Sequence, residues 1–220
     1  MIELPDPSKS WDYENGFYLT CGTQRLSKFM AHCELFKRTI DLPGEIVECG
    51  VFKGVSLMRW AHLRSMLCHD SAKRIIGFDT FGKFPGTGFA ADQNKREDFI
   101  ANAGDESIST QQLSGLLDRQ GLGKKVELVP GDISQTVPRF LEANPQLKIS
   151  LLNLDTDIYE PAVTILEHLY GRIVKGGVLI LDDYAVFPGE TRAVDEFFAD
   201  KDVEIRRFGY AMTPSYVIIT

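Results

Sequence analysis

The sequence predicts an α/β protein built on a doubly wound, seven-stranded, mostly parallel sheet with a C-terminal antiparallel hairpin strand. Three observations carry this. Residues 149–154 and 178–181 are apolar runs, broken only by Ser150 and Asn153, that do not alternate with polar residues, as strands buried on both faces of a parallel sheet read. Between them Pro161 suits a first helical position, and Ile165, Leu166, Leu169 and Tyr170 recur at helical spacing, which makes a β-α-β unit. Earlier short strands alternate with helices in the same way, the signature of the class.

Taken in order, residues 1–20 read as irregular. Leu26, Phe29, Met30, Cys33, Phe36 and Ile40 recur at helical spacing over 22–40, and Leu42-Pro43-Gly44 ends that amphipathic helix. Residues 1–44 thus form a helical cap on a single domain spanning 1–220. The first strand, 45–49, leads into Gly50-Val51-Phe52-Lys53-Gly54 and a helix over 55–68 that buries Leu57, Met58, Trp60, Ala61 and Leu63. The second strand, 74–78, ends on Asp79. From 81 to about 107 the pattern fails: F-G-K-F-P-G-T-G-F is loop-like, and the charged run 92–98 predicts only a short helix. A loop this long is a substrate lid with few apolar contacts to hold it, or else a disordered excursion.

A helix over 109–120 and a third strand over 125–129 follow, the latter running into P-G-D at Asp132. Pro138 makes the helix over 134–143 start late or bend. Lys175-Gly176-Gly177 reads as the turn before the fifth strand. A helix over 190–199 turns Val194, Phe197 and Phe198 inward, and strands over 203–208 and 216–219 form the terminal hairpin.

With 44% hydrophobic and 25% charged residues in 220, the composition is that of an ordinary globular protein. A net charge of −7 without a Lys/Arg-rich block disfavours nucleic acid as a partner. No apolar stretch approaches membrane-spanning length, so no membrane partner is expected, and the N-terminus M-I-E-L-P-D-P is unlike a signal peptide. Cys21, Cys33, Cys49 and Cys68 fall in no C-x-x-C spacing and suit reduced thiols in a cytoplasmic protein.

The chemistry gathers at strand ends. Asp155 and Asp157 follow one strand of the β-α-β unit, and Asp182 and Asp183 follow the other. Ligands bind at the carboxyl ends of such strands, so four carboxylates meet in one cleft. Like charges that close repel unless a cation or a shared proton offsets them, and a hard divalent metal is the simplest resolution. Any one of these Asp residues also reads as a turn or helix cap. At the other end, Glu48 and Gly50-x-x-x-Gly54 follow the first strand and Asp79 ends the second, a nucleotide-binding logic in which an acid holds ribose hydroxyls. Phe52 occupies the place of the second glycine of G-x-G-x-x-G, which disfavours a dinucleotide. An acid before the glycine turn suits a cationic, hydroxylated ligand such as S-adenosylmethionine. Gly50 and Gly54 also read as tight strand–helix packing, and Asp132 as either a ligand contact or an N-cap. His32, His62, His69 and His168 show no metal-ligand spacing and read as surface or packing residues. Tyr159 and Tyr184 flank the acidic clusters as acceptor-site or core residues.

The motifs V-E-C-G-V-F-K-G-x-S, G-F-D-T-F, G-D-I, L-N-L-D-T-D-I-Y-E-P, L-Y-x-R-I-x-x-G-G and L-D-D-Y with a later A-V-D-E-F together resemble the macrocin O-methyltransferase family, from about residue 16 to 198. The resemblance implies a class I methyltransferase that uses S-adenosylmethionine and Mg²⁺ to methylate sugar hydroxyls in antibiotic pathways. By motif position it places metal ligands on Asp155, Asp182 and Asp183 and the base on Asp157. Cofactor contacts fall around Glu48, Gly50, Ser56, Asp79 and Asp132, with Cys49, Val51, Gly54, Thr80, Phe81, Ile133 and Asp155 beside them. The expected partner is a small hydroxyl acceptor, a sugar or a glycosylated molecule, and a homo-oligomer is expected. Relative to the family the chain is shorter at its N-terminus, which argues against a large macrolide as acceptor. A catechol or phenol acceptor, a nicotinamide-dependent oxidoreductase and a non-catalytic binding module are the alternatives. The missing G-x-G-x-x-G argues against the second, and the intact aspartates against the third.

Overall fold

The computed structural model describes residues 1–69 and 71–220. Seven strands form one sheet: β1 (Glu45–Cys49), β2 (Ile75–Asp79), β3 (Val126–Pro130), β4 (Ile149–Leu154), β5 (Ile173–Leu181), β6 (Arg206–Arg207) and β7 (Ser215–Ile218), in the order β3-β2-β1-β4-β5-β7-β6. The first five run parallel, while β7 pairs antiparallel with both β5 and β6. Chain order reverses between β1 and β4, and in an open α/β sheet that switch point opens the ligand crevice.

Side-chain alternation along the strands divides the core into two layers. Val47, Cys49, Phe78, Leu152, Leu154 and Leu181 face α6 (Ile133–Ala143), α7 (Tyr159–Leu169) and α8 (Pro188–Phe198). Ile46, Ile75, Leu151, Val178 and Ile180 face α2 (Thr23–Lys37), α3 (Val55–Leu67) and α5 (Thr110–Arg119). Trp60 on α3 is wholly buried and stacks against His32 and Phe36 of α2.

Several elements differ from expectation. Residues 10–20 are helical, α1 (Ser10–Thr20), and not one of its residues is buried. α4 (Ala90–Ala103) is twice the length the charged run promised. α6 begins directly at Ile133 with Pro138 inside it, and α7 begins at Tyr159, placing Pro161 third rather than first, still in the turn whose N–H groups lack helical partners. Lys175-Gly176-Gly177 is not a turn: β5 continues through it, and Gly176 at φ +81° absorbs a shift of register against β4. Of the strand expected over 203–208, only Arg206–Arg207 pairs. No helix among the described residues is long and apolar enough to cross a membrane, and all four cysteines are free.

Candidate active site

A cavity of about 290 Å³ opens at the switch point. Its floor is the junction of β1 and β4. Asp155 N–H donates to Cys49 O at 2.9 Å, and Gly50 turns away at φ +93° with the Asp155 carbonyl so close that a Cβ would lie 1.6 Å from its oxygen. No other residue fits there.

Asp79, at the end of β2, holds the neighbouring loops. Its carboxylate accepts from Val51 N at 2.8 Å, Phe52 N at 2.9 Å and Phe81 N at 2.7 Å. Phe52 and Phe81 both sit at positive φ, +47° and +48°, a conformation that persists only where surrounding bonds enforce it. The expected ribose-binding acid is thus already engaged by backbone. Asp79→Ala should cost about 3 kcal/mol through three stranded N–H groups, lowering Tm by about 6–12 °C in a chain of this size. An unchanged Tm with lost cofactor affinity would restore Asp79 to direct ligand contact.

Of the expected cofactor residues, Gly50, Asp79, Thr80, Asp132, Ile133 and Asp155 line the cavity. Glu48, Cys49, Val51, Gly54, Ser56 and Phe81 are not on its wall. Gly54, at φ +83°, faces Leu113 at packing distance, and Asp132 caps α6 by accepting from Ser134 N at 2.9 Å while also lining the cavity. The wall that sequence reading missed is aromatic: Phe52, Phe84 and Phe99, with the Phe99 ring centroid 5.3 Å from that of Phe52 and 5.5 Å from that of Phe84.

Glu48 lies buried behind the wall, with Asn153 Nδ2 at 3.4 Å from one oxygen. Burial pushes its carboxyl up to about 8, against bonds from Ser56 and Asn153 that pull the other way. The folded state therefore holds this proton more tightly than the unfolded chain, and stability falls as pH rises from about 4 to about 8, then levels off. Glu48→Gln removes that loss. Its Tm should exceed wild type by several °C near pH 9, with the gap closing toward pH 5; parallel curves would show that Glu48 is not the group responsible.

Beside the cavity, carboxylate oxygens of Asp155, Asp157 and Asp183 all lie within 4.8 Å of one another. Asp157 is held at φ +64°, which turns its side chain back toward Asp183. Burial and then the neighbouring Asp155 raise its carboxyl to about 8, while burial and its acidic neighbours push Asp155 and Asp183 well above the usual carboxylate range. Three hard oxygen donors this close, each holding a proton too tightly, match the donor chemistry of a small divalent cation.

Asp182, expected as the third ligand, is not in this group. The Lys28 ammonium binds its carboxylate from α2, and His32 Nε2 lies 3.4 Å from the other oxygen. Burial alone would raise the Asp182 carboxyl, but Lys28 and His32 outweigh it and hold the group well below its ordinary value. His32 itself is fully buried and pushed down to about 4, chiefly by burial, with Arg59 Nη1 at 2.8 Å from its Nδ1. Lys28 and His32 lie one helical turn apart on the face of α2 that also carries Leu35, a polar pair within an apolar stripe and the one sequence signal for this network. Glu190, also missed, is fully buried and accepts from Asp183 N at 2.9 Å.

Residues 81–107 carry more contacts than their glycines and charges promised. Phe84 and Phe99 pack as above, Glu160 accepts from Thr87 Oγ1 at 2.9 Å and Gly88 N at 2.7 Å, and Asp92 is completely buried. Tyr159 and Tyr184 do not line the cavity; their hydroxyls donate to Glu196 and Asp195 of α8.

This strand order, with the cavity at the switch point, defines a Rossmann-like fold of the class I methyltransferase type. The chain belongs to the macrocin-O-methyltransferase (TylF) family, which matches residues 8–207. It is 29% identical over 179 residues to the Streptomyces olivaceus 8-demethyl-8-(2,3-dimethoxy-alpha-L-rhamnosyl)-tetracenomycin-C 4'-O-methyltransferase, covering 80% of this chain and 66% of that one. It is 30% identical over 172 residues to the Streptomyces niveus demethyldecarbamoylnovobiocin O-methyltransferase, covering 74% and 61% respectively. The chain thus spans slightly less than two thirds of the length of these relatives. Among solved structures, the calicheamicin methyltransferase CalS11 superposes with a TM-score of 0.78 at 28% identity, covering 97% of this chain and 86% of that one.

Proposed function

We propose that the chain is an S-adenosylmethionine-dependent O-methyltransferase that acts on a hydroxyl of a sugar or glycosylated small molecule with a divalent cation held by Asp155 and Asp183 beside Asp157. The observation that carries this reading is the sharing of Asp155 and Asp157 between the cavity wall and the three-carboxylate group, which sets a donor site and an acidic site side by side. The relatives, by their names, methylate a rhamnosyl-tetracenomycin and demethyldecarbamoylnovobiocin.

S-adenosylmethionine supplies an electrophilic methyl on sulfur, and Mg²⁺ on the carboxylates supplies Lewis acidity that makes a neighbouring hydroxyl easier to deprotonate. The remaining work belongs to the chain. Gly50, Thr80, Asp132 and Ile133 shape the pocket for the donor, and Phe52, Phe84 and Phe99 keep water from it. Asp157 takes the acceptor proton, being a carboxylate beside the place where the hydroxyl must lie. Lys28 and His32 anchor Asp182 behind the three carboxylates, so that these keep their places as charge changes. Alignment of hydroxyl oxygen, methyl and sulfur then governs the displacement.

Titration calorimetry with S-adenosylhomocysteine tests the donor half, and transfer of labelled methyl to rhamnosides against catechols tests the acceptor half. Binding of the nucleoside and labelling of the rhamnosides are expected. Binding of NADH with no response to S-adenosylhomocysteine would overturn the reading, and labelling of catechols alone would move the acceptor class to phenols.

A further inference from the structure

Asp92 lies in the first turn of α4, 67 and 97 residues from its two partners, and is 0% exposed. One carboxylate oxygen accepts from Tyr159 N at 3.0 Å, the first residue of α7; the other accepts from Gly189 N at 2.7 Å, in the first turn of α8. A single acid thereby serves the positive ends of three helices, which is what makes its burial tolerable. The fit at Gly189 is close: a Cβ there would lie 2.0 Å from Asp92 Oδ2 and 2.5 Å from Tyr159 N.

The two anchored helix starts are the ones that carry the acidic site. α7 begins two residues after Asp157, and α8 begins five after Asp183. The first turn of α8 already joins those loops, since Glu190 N donates to Asp157 O at 3.2 Å and Glu190 Oε1 accepts from Asp183 N.

We propose that Asp92 is a positioning residue that locks the Asp157 and Asp183 loops into one unit, tying the geometry of the three carboxylates to the seating of residues 81–107. The cation half of this inference rests on the function proposed above; the mechanical half does not. When α4 is seated, Asp92 draws the two loops together and the carboxylates converge. When α4 lifts, two buried N–H groups lose their acceptor and the loops separate.

The test uses the full chain as wild type, Asp92→Ala, Asp92→Asn and Gly189→Ala. Gly189→Ala favours helix by propensity, so any loss it causes comes from crowding the Asp92–Tyr159 junction. Two measurements are made on folded protein: Mn²⁺ affinity by calorimetry and hydrogen exchange by NMR. Each variant should weaken Mn²⁺ binding by about 10–100-fold, with S-adenosylhomocysteine affinity changed by less than about threefold. The amides of Tyr159 and Gly189 should exchange about tenfold faster or more. A merely structural role would lower Tm without moving the metal affinity of the folded fraction. Mn²⁺ affinity within threefold of wild type in Asp92→Asn and Gly189→Ala, or lost protection confined to α4, would overturn the proposal. If wild type itself binds no Mn²⁺, the functional reading fails, and exchange at Tyr159 and Gly189 alone decides whether the clamp exists.

Discussion

Replacing Asp157 with asparagine is expected to slow methyl transfer by about 10²–10⁴-fold, the usual worth of a positioned general base. The substitution keeps the volume of the side chain and removes its capacity to take a proton. The cap of α7 falls on Ile158 and involves no side chain, so Asp157 is not needed to start that helix. Removing one ionisable carboxyl from a mutually repelling group should leave the Tm of metal-free protein unchanged or raise it. Single-turnover rates at saturating Mg²⁺ check the slowed transfer. A near-normal rate would remove Asp157 from the proton transfer, and a loss that high Mg²⁺ repairs would make it a ligand first. Asp155→Asn should show that second behaviour, with weaker Mg²⁺ binding and partial recovery at high metal.

Exhaustive chelation should abolish turnover, and Mg²⁺ should restore it. Three carboxylates that hold protons against their ordinary tendency gain most from a cation between them, so the metal should also stabilise the fold. At a hundredfold excess over Kd the gain is about 2.7 kcal/mol, readable as a rise in Tm without any substrate. Affinity for S-adenosylhomocysteine should change less, since its pocket walls are mostly formed by other residues. Full activity in metal-free protein would contradict the assignment.

The β-α-β unit and its strand-end aspartates are legible in sequence because buried parallel strands are short apolar runs and whatever follows them lands on one edge of the sheet. Which carboxylates face one another is not. Asp182 and Asp183 are adjacent and therefore point to opposite sides, one toward Lys28 and His32 and the other toward Asp157. That choice depends on an ammonium 154 residues away in sequence. Lys28, Asp92 and Glu190 are charged residues on helices, where composition alone places them in water; only tertiary packing buries Asp92 and Glu190 and brings Lys28 against Asp182. α1 escaped notice for a simpler reason. With nothing buried, it has no apolar stripe from which a period can be read.

The contact of Gly50 with the Asp155 carbonyl has a consequence for how precision is achieved. Residues that shape the donor pocket come largely from the chain before β4, and the acidic residues come from β4 onward. The two groups meet along a seam of bare backbone, with no side chain between them to act as a shim. In the proposed reaction the span from sulfur to acceptor oxygen would therefore be fixed by the main chain at the moment β1 and β4 pair. An in-line displacement tolerates errors of only a fraction of an ångström, and here that tolerance is set by peptide geometry, the least compliant material the protein has.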